Sequence, residues 1–145
     1  MEAVILARDN AWAMSQENVA IVRRMYEAFY GGDAAGALAC FDPEVVIDLS
    51  RRLEGGIGHG RDDLNKMISQ WVGTFDDWRE EIEEIRDRGA QVYVLAVQHG
   101  RGKGSGIEVE ERYALIYEVK GDKIARMTMY GEPAEALEDV GLSSG

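Results

Sequence analysis

In the stretch FDPEVVIDLSRR an aspartate, Asp48, follows the aliphatic run Val45, Val46 and Ile47. A carboxylate at the end of an apolar strand can act as a general base if it points into a cavity, and a tyrosine hydroxyl nearby can then hold the oxygen on which charge develops. Tyr26, in the helical stretch upstream, and Tyr113, in a β-rich run downstream, are the candidate donors. Side chains alternate along a strand, so Val45, Ile47 and Leu49 share one face while Val46, Asp48 and Ser50 share the other. That alternation leaves two readings of Asp48: a base inside a cavity, or an acid facing water or a second subunit.

Other chemistry is poorly supported by the residue types. His59 and His99 stand on separate segments without the spacing of a metal site, so no metal is expected. GGIGHGRDD does not match GxGxxG from any glycine, and in GRGKGSG a glycine, Gly104, follows Lys103 where a phosphate-binding loop needs Ser or Thr. No cofactor is expected from either loop. The single cysteine, Cys40, excludes an internal disulfide and reads as a small core residue. Acidic residues outnumber basic ones 27 to 16, for a net charge of −11, which repels nucleic acid and anionic lipid alike. The start of the chain lacks the basic and long apolar segments of a secretory signal, and a soluble, cytoplasmic protein is the expectation.

The elements that must position these residues follow from periodicity. Val19, Val22, Met25, Tyr26, Phe29 and Tyr30 recur at helical steps from an N-cap at Ser15, and Gly31 and Gly32 end that helix. Residues 1–14 read as a tail ahead of a single 15–142 domain. Asp33 caps a short second helix, the Asp48 strand follows, and Leu64, Met67, Ile68, Trp71, Val72 and Phe75 mark a third helix. In DWREEIEEIRDRG the spacing of Trp78, Ile82 and Ile85 is helical, in conflict with the β-rich runs that come next. QVYVLAVQHG, IEVEERYALIYEVK and KIARMTMY form an antiparallel meander, and Pro133 starts a last helix closed by Gly141. Helices first and consecutive strands last give an α+β fold with helices on one sheet face.

In that order, ENVAIVRRMYEAFYGGDAAGALACFDPEVVIDLS, GHGRDDLNKMISQWV and RGKGSGIEVEERYALIYEVKGDKIARM resemble a nuclear transport factor 2-like, SnoaL-like domain. The resemblance implies a cone-shaped α+β barrel, its helices packed on the concave face of a curved, mostly antiparallel sheet. It assigns WREEIEEIRD to a strand against its helical spacing. It also implies a cavity between helices and sheet, and a homodimer through the convex face.

Ketosteroid isomerase is the mechanistic template that the resemblance brings. Counted from Gly32 and Asp33, its helix-one tyrosine falls on Met25 and its base on Leu49, each one residue from Tyr26 and Asp48 and in opposite directions. Its protonated acid falls near Ala114 or Leu115, which have no side-chain donor. Steroid-type isomerisation is therefore not expected. Met127 matches an inward methionine of the template, and Trp71, Tyr113 and Glu111 complete the ligand-binding set on the inward faces. Glu110 and Arg112 fall on the outer face. The leading reading is a domain that binds a small molecule in a mostly apolar pocket. Its rival is a cofactor-independent isomerase, cyclase or hydrolase with Asp48 as base and Tyr26 or Tyr113 as donor.

Overall fold

The computed structural model describes residues 2–52 and 55–142, with side chains from Ser15 onward. Helix α1 spans Glu2–Tyr30 and α2 Ala34–Ala39; strands β1 (Phe41–Arg51) and β2 (Ile57–His59) precede α3 (Arg61–Val72). Strands β3 (Phe75–Arg88), β4 (Gln91–Gly102), β5 (Glu108–Lys120) and β6 (Lys123–Tyr130) then lead to α4 (Pro133–Val140). The six strands form one open sheet in the order β2-β1-β6-β5-β4-β3. Every pairing is antiparallel except β1 with β6, which brings the first long strand back against the meander.

Two boundaries differ from the expectation. Helix α1 runs back to Glu2, so Ser15 is not its N-cap; EAVILARDNAWAM holds good helix formers and neither Pro nor Gly to interrupt them. Helix α3 stops at Val72, capped by Gly73, so Phe75 opens β3 instead of closing the helix. Its start matches the sequence reading, because Gly60 at φ 90° takes a turn that a side chain would strain. Pro133 at the first turn and Gly141 in the left-handed conformation bound α4.

Strand β3 resolves the conflict in DWREEIEEIRDRG. Ile82 lies opposite Ala96 and Ile85 opposite Val94, but between them the register slips at Glu84, opposite Leu95. A bulge of this kind adds one residue to one strand. Two isoleucines three apart therefore both point inward and imitate helical spacing. Glu83, at the slip, instead faces outward and accepts two hydrogen bonds from the Arg112 guanidinium at 2.6 and 2.9 Å. This places Arg112 on the outer face, with an ion partner from its own chain.

The sheet carries apolar residues on both sides. On the concave side Val45, Ile47, Val92, Val94, Leu115, Tyr117 and Ile124 pack against Val22, Met25 and Tyr26 of α1 and Leu64 of α3. Full burial of a Val or Ile side chain stabilises by about 1.5–3 kcal/mol before the entropy of ordering the chain is counted. On the other side Tyr93, Ala114, Ile116 and Tyr130 pack under Ala136 and Val140 of α4. The convex face, through which the resemblance implies a homodimer, is thus covered in part by the chain's own last helix. Among the described residues, no helix is long and apolar enough to cross a membrane.

Candidate functional site

A cavity of about 220 Å³ lies between α1, α2, α3 and the concave sheet face. Its wall is mostly apolar, with Met25, Phe29, Ile68, Leu115, Met127 and Met129 contributing, and Trp71 forms part of one side. The polar groups along it are few, and three of them belong to Glu80, Tyr26 and Tyr117.

Glu80 reaches the cavity because β3 alternates. It pairs opposite Gln98 in the register that puts Ile82 opposite Ala96, so Glu80 and Ile82 share the inward face. Its carboxylate accepts the Tyr30 hydroxyl at 2.8 Å. Burial pushes the Glu80 carboxyl up to about 7, against the pull of the Tyr30 hydrogen bond, which favours the ionised form. Helix α1 supplies Tyr30 one turn beyond Tyr26, and Tyr30 is 46% exposed, so this pair stands where the cavity meets solvent.

Deeper, the hydroxyls of Tyr26 and Tyr117 are 2.6 Å apart and their rings meet edge to face. Burial raises both phenols well above their ordinary range, and the nearby Glu80 charge adds to the effect. Both therefore stay protonated at any physiological pH. One hydroxyl donates to the other, which leaves the acceptor's own proton free for a third partner. The cavity thus offers a carboxyl poised near neutrality and a neutral phenolic donor, the two elements that acid–base chemistry or orientation of a polar ligand group requires.

Asp48 is elsewhere. It lies opposite Thr128 in the register that pairs the core residue Ile47 with the cavity residue Met127, and so it occupies the outer face. Register shifts flank it on both sides, yet neither turns it inward. The carboxylate accepts hydrogen bonds from the Ser50 backbone N–H at 3.0 Å, from Ser50 Oγ at 2.5 Å and from Arg126 Nη2 at 2.6 Å. Burial alone would raise the Asp48 carboxyl, but these bonds from Ser50 and Arg126 outweigh it and hold the group below its ordinary value. It is an ion-paired acid on the outer face, the second of the two readings that the sequence left open, and the carboxylate on the cavity wall is that of Glu80.

The other sequence candidates divide. Tyr26, Trp71 and Met127 meet at the cavity. Tyr113 is fully buried beside Trp71, their rings 5.6 Å apart and edge to face. Glu111 points inward but accepts from Arg52 Nη2 at 2.9 Å and from Gln98 Nε2 at 2.6 Å, beyond the Trp71 wall. His59 lies 3.5 Å from Glu44 and His99 3.9 Å from Glu81, on different strands. Among the described residues, no three His, Cys, Asp or Glu side chains gather as metal ligands would. Sequence reasoning missed Glu80, although a signal was there: once the segment is a strand, Trp78, Glu80 and Ile82 are separated by two residues each, and a carboxylate falls on an apolar face.

Comparison with known proteins agrees with this architecture. An uncharacterised protein of Mycobacterium bovis is 27% identical over 116 residues, which cover 79% of this chain and 88% of that protein. A Xanthomonas campestris protein provisionally described as a polyketide cyclase superposes with a TM-score of 0.65 at 25% identity, covering 86% of this chain and 97% of that one. A nuclear transport factor 2-like protein of unknown function from Burkholderia pseudomallei superposes with a TM-score of 0.69 at 22% identity, over 84% of this chain and 95% of its own. The sequence profile of the SnoaL-like domain matches residues 22–127, more than half of the molecule, and with the concave sheet and its helices in the same order this chain belongs to the SnoaL-like domain family.

Proposed function

We propose that the protein binds a compact, mostly apolar small molecule in the cavity between α1, α3 and the sheet, with Glu80 and the Tyr26–Tyr117 pair orienting its polar group. The observation that carries this reading is an apolar wall interrupted by one near-neutral carboxyl and one spare phenolic proton. Ligand sites are typically apolar with a few placed polar groups and occupy about 300–1,000 Å³. A cavity of about 220 Å³ falls below that range, so the ligand is small.

A second reading, cofactor-independent acid–base catalysis such as isomerisation or cyclisation, is favoured by one specific feature. Glu80 near 7 can both take and return a proton at neutral pH, which a general base of ordinary acidity does less well. The provisional description of the Xanthomonas campestris relative as a polyketide cyclase is consistent with this reading. In it Glu80 replaces Asp48 as base, and the Tyr26–Tyr117 pair donates to the substrate oxygen.

Small ketones, lactones, phenols and epoxides should be screened for a rise in melting temperature and for turnover. A ligand at one hundred times its Kd adds about 2.7 kcal/mol to stability by mass action. Ile68→Phe, which fills the cavity, is expected to abolish the rise, and Asp48→Asn to leave it intact. The reading fails if no compound stabilises the protein, or if the rise survives Ile68→Phe and disappears with Asp48→Asn. Turnover lost in Glu80→Gln with stabilisation retained would establish the catalytic reading.

A further inference from the structure

Beyond the Trp71 wall, six side chains from separate parts of the chain close a ring. Arg52 Nη2 donates to Glu111 Oε1 at 2.9 Å, and the same oxygen accepts from Gln98 Nε2 at 2.6 Å. Gln98 Oε1 accepts from Trp78 Nε1 at 2.9 Å. Trp78 meets Trp71 edge to face at 5.4 Å between ring centroids, Trp71 meets Tyr113 in the same way at 5.6 Å, and the Arg52 guanidinium lies 5.7 Å from the Tyr113 ring centroid. Glu111 and Gln98 bond through polar atoms to both ring neighbours, Arg52 and Trp78 to one, and aromatic contacts complete the circuit.

Three buried side-chain polar atoms among the described residues have no hydrogen-bond partner: Arg52 Nη1, Trp71 Nε1 and Tyr113 Oη. All three belong to this ring. Buried polar groups are almost always paired, and each one left unpaired destabilises the fold, so three in one cluster of touching side chains require an explanation. Their chemistry restricts it. The arginine and tryptophan nitrogens can only donate, and the tyrosine hydroxyl can donate. A cation or another donor could be met only by the Tyr113 oxygen and would leave both nitrogens unpaired. An oxygen acceptor would satisfy them, and because the charges of Arg52 and Glu111 offset each other within the ring, that acceptor need not be ionised.

Trp71 belongs to both places, since its indole also lines the cavity. We propose that the Arg52–Trp71–Tyr113 cluster is a polar subsite for a carbonyl or carboxylate oxygen of the ligand, so that the molecule bound has an apolar body in the cavity and an sp² oxygen directed past Trp71. This rests on the cavity being the binding site. It adds the ligand class: an aryl or alicyclic ketone, or the corresponding acid, in preference to a hydrocarbon or an amine.

The test uses the full chain and three probes of similar shape, tetralin, α-tetralone and 1-naphthoic acid, titrated calorimetrically into the wild type, Tyr113→Phe and Trp71→Phe. α-Tetralone or 1-naphthoic acid is expected to bind the wild type at least about tenfold more tightly than tetralin, the scale of one added hydrogen bond to a buried donor. Whichever of the two is preferred identifies the oxygen as neutral or ionised. Tyr113→Phe should reduce that preference to within about twofold while leaving tetralin unchanged, and Trp71→Phe should reduce the preference to the same extent whatever the altered cavity wall does to tetralin itself. Tetralin binding with no preference for either oxygenated probe would overturn the subsite and leave the cavity reading standing, whereas no binding by any probe would overturn both. A second readout needs no ligand. Because the Tyr113 hydroxyl is unpaired, Tyr113→Phe should leave the melting temperature of the free protein unchanged or raise it. A clear fall would show that ordered water alone already satisfies the hydroxyl, and would overturn the proposal.

Discussion

Raising the pH from 4.5 to 7.5 is expected to destabilise the wild-type protein by on the order of 1–3 kcal/mol more than it destabilises Glu80→Gln. The sign follows from the direction of the shift. Glu80 is held at about 7 in the fold against an ordinary value of 4.5, so between those two pH values the native state retains a proton that the unfolded chain has released. Stability falls with rising pH wherever the native state binds more protons. Below about 4.5 both states are protonated and above about 7 both are ionised, so the difference between the two proteins develops within that window and is constant outside it. At about 1.4 kcal/mol per pH unit the full displacement from 4.5 to about 7 is worth about 3.5 kcal/mol, most of it developed between pH 4.5 and 7.5, and partial contact with solvent reduces it. Glutamine keeps an acceptor for the Tyr30 hydroxyl at 2.8 Å, so the comparison isolates the charge. Urea denaturation of both proteins across the window measures it. Parallel stability curves would mean that Glu80 ionises as an exposed glutamate does.

The second large effect concerns the Tyr26–Tyr117 pair. Tyr26→Phe or Tyr117→Phe alone should cost about 1–3 kcal/mol, because each removes one hydroxyl and leaves the other buried without its partner at 2.6 Å. The double variant should cost less than the sum of the two, since it leaves no orphan and retains the edge-to-face ring contact at 6.0 Å. A coupling energy of about 1–2 kcal/mol from the double-mutant cycle is expected. Strict additivity would mean that each hydroxyl has an independent partner and that no shared proton is available to a ligand.

How much of this the sequence reveals depends on how local the determinant is. The order of elements is legible because glycine and proline punctuate it: Gly31 and Gly32 end α1, Gly60 precedes α3, and Pro133 and Gly141 bound α4. Alternation puts Asp48 on the face opposite Ile47, but which of the two faces is outward is fixed only by the packing of Ile47 in the core. Its neutralisation by Arg126 is not legible, because 78 residues separate the pair and only the parallel β1–β6 register joins them. Strand β3 is misleading on its own, since one inserted residue makes Ile82 and Ile85 look helical. Glu80 is hidden by the same ambiguity, as its inward aim exists only once that segment is a strand. The ring from Arg52 to Tyr113 draws on the end of β1, α3, β3, β4 and β5, and no spacing in the chain records it.

The most direct measurement of the central claim, that the cavity around Glu80 is the working site and the Asp48 face is not, is a carbon-13 NMR titration of the side-chain carboxyl carbons. Glu80→Gln and Asp48→Asn assign the two resonances, and the titration is run with and without saturating α-tetralone. Glu80 is expected to titrate near 7 in the free protein and to move higher when the probe excludes water from the cavity, while Asp48 titrates below its ordinary value and does not respond. A Glu80 resonance that titrates near 4.5 and ignores the probe, with Asp48 shifting in its place, would contradict that claim.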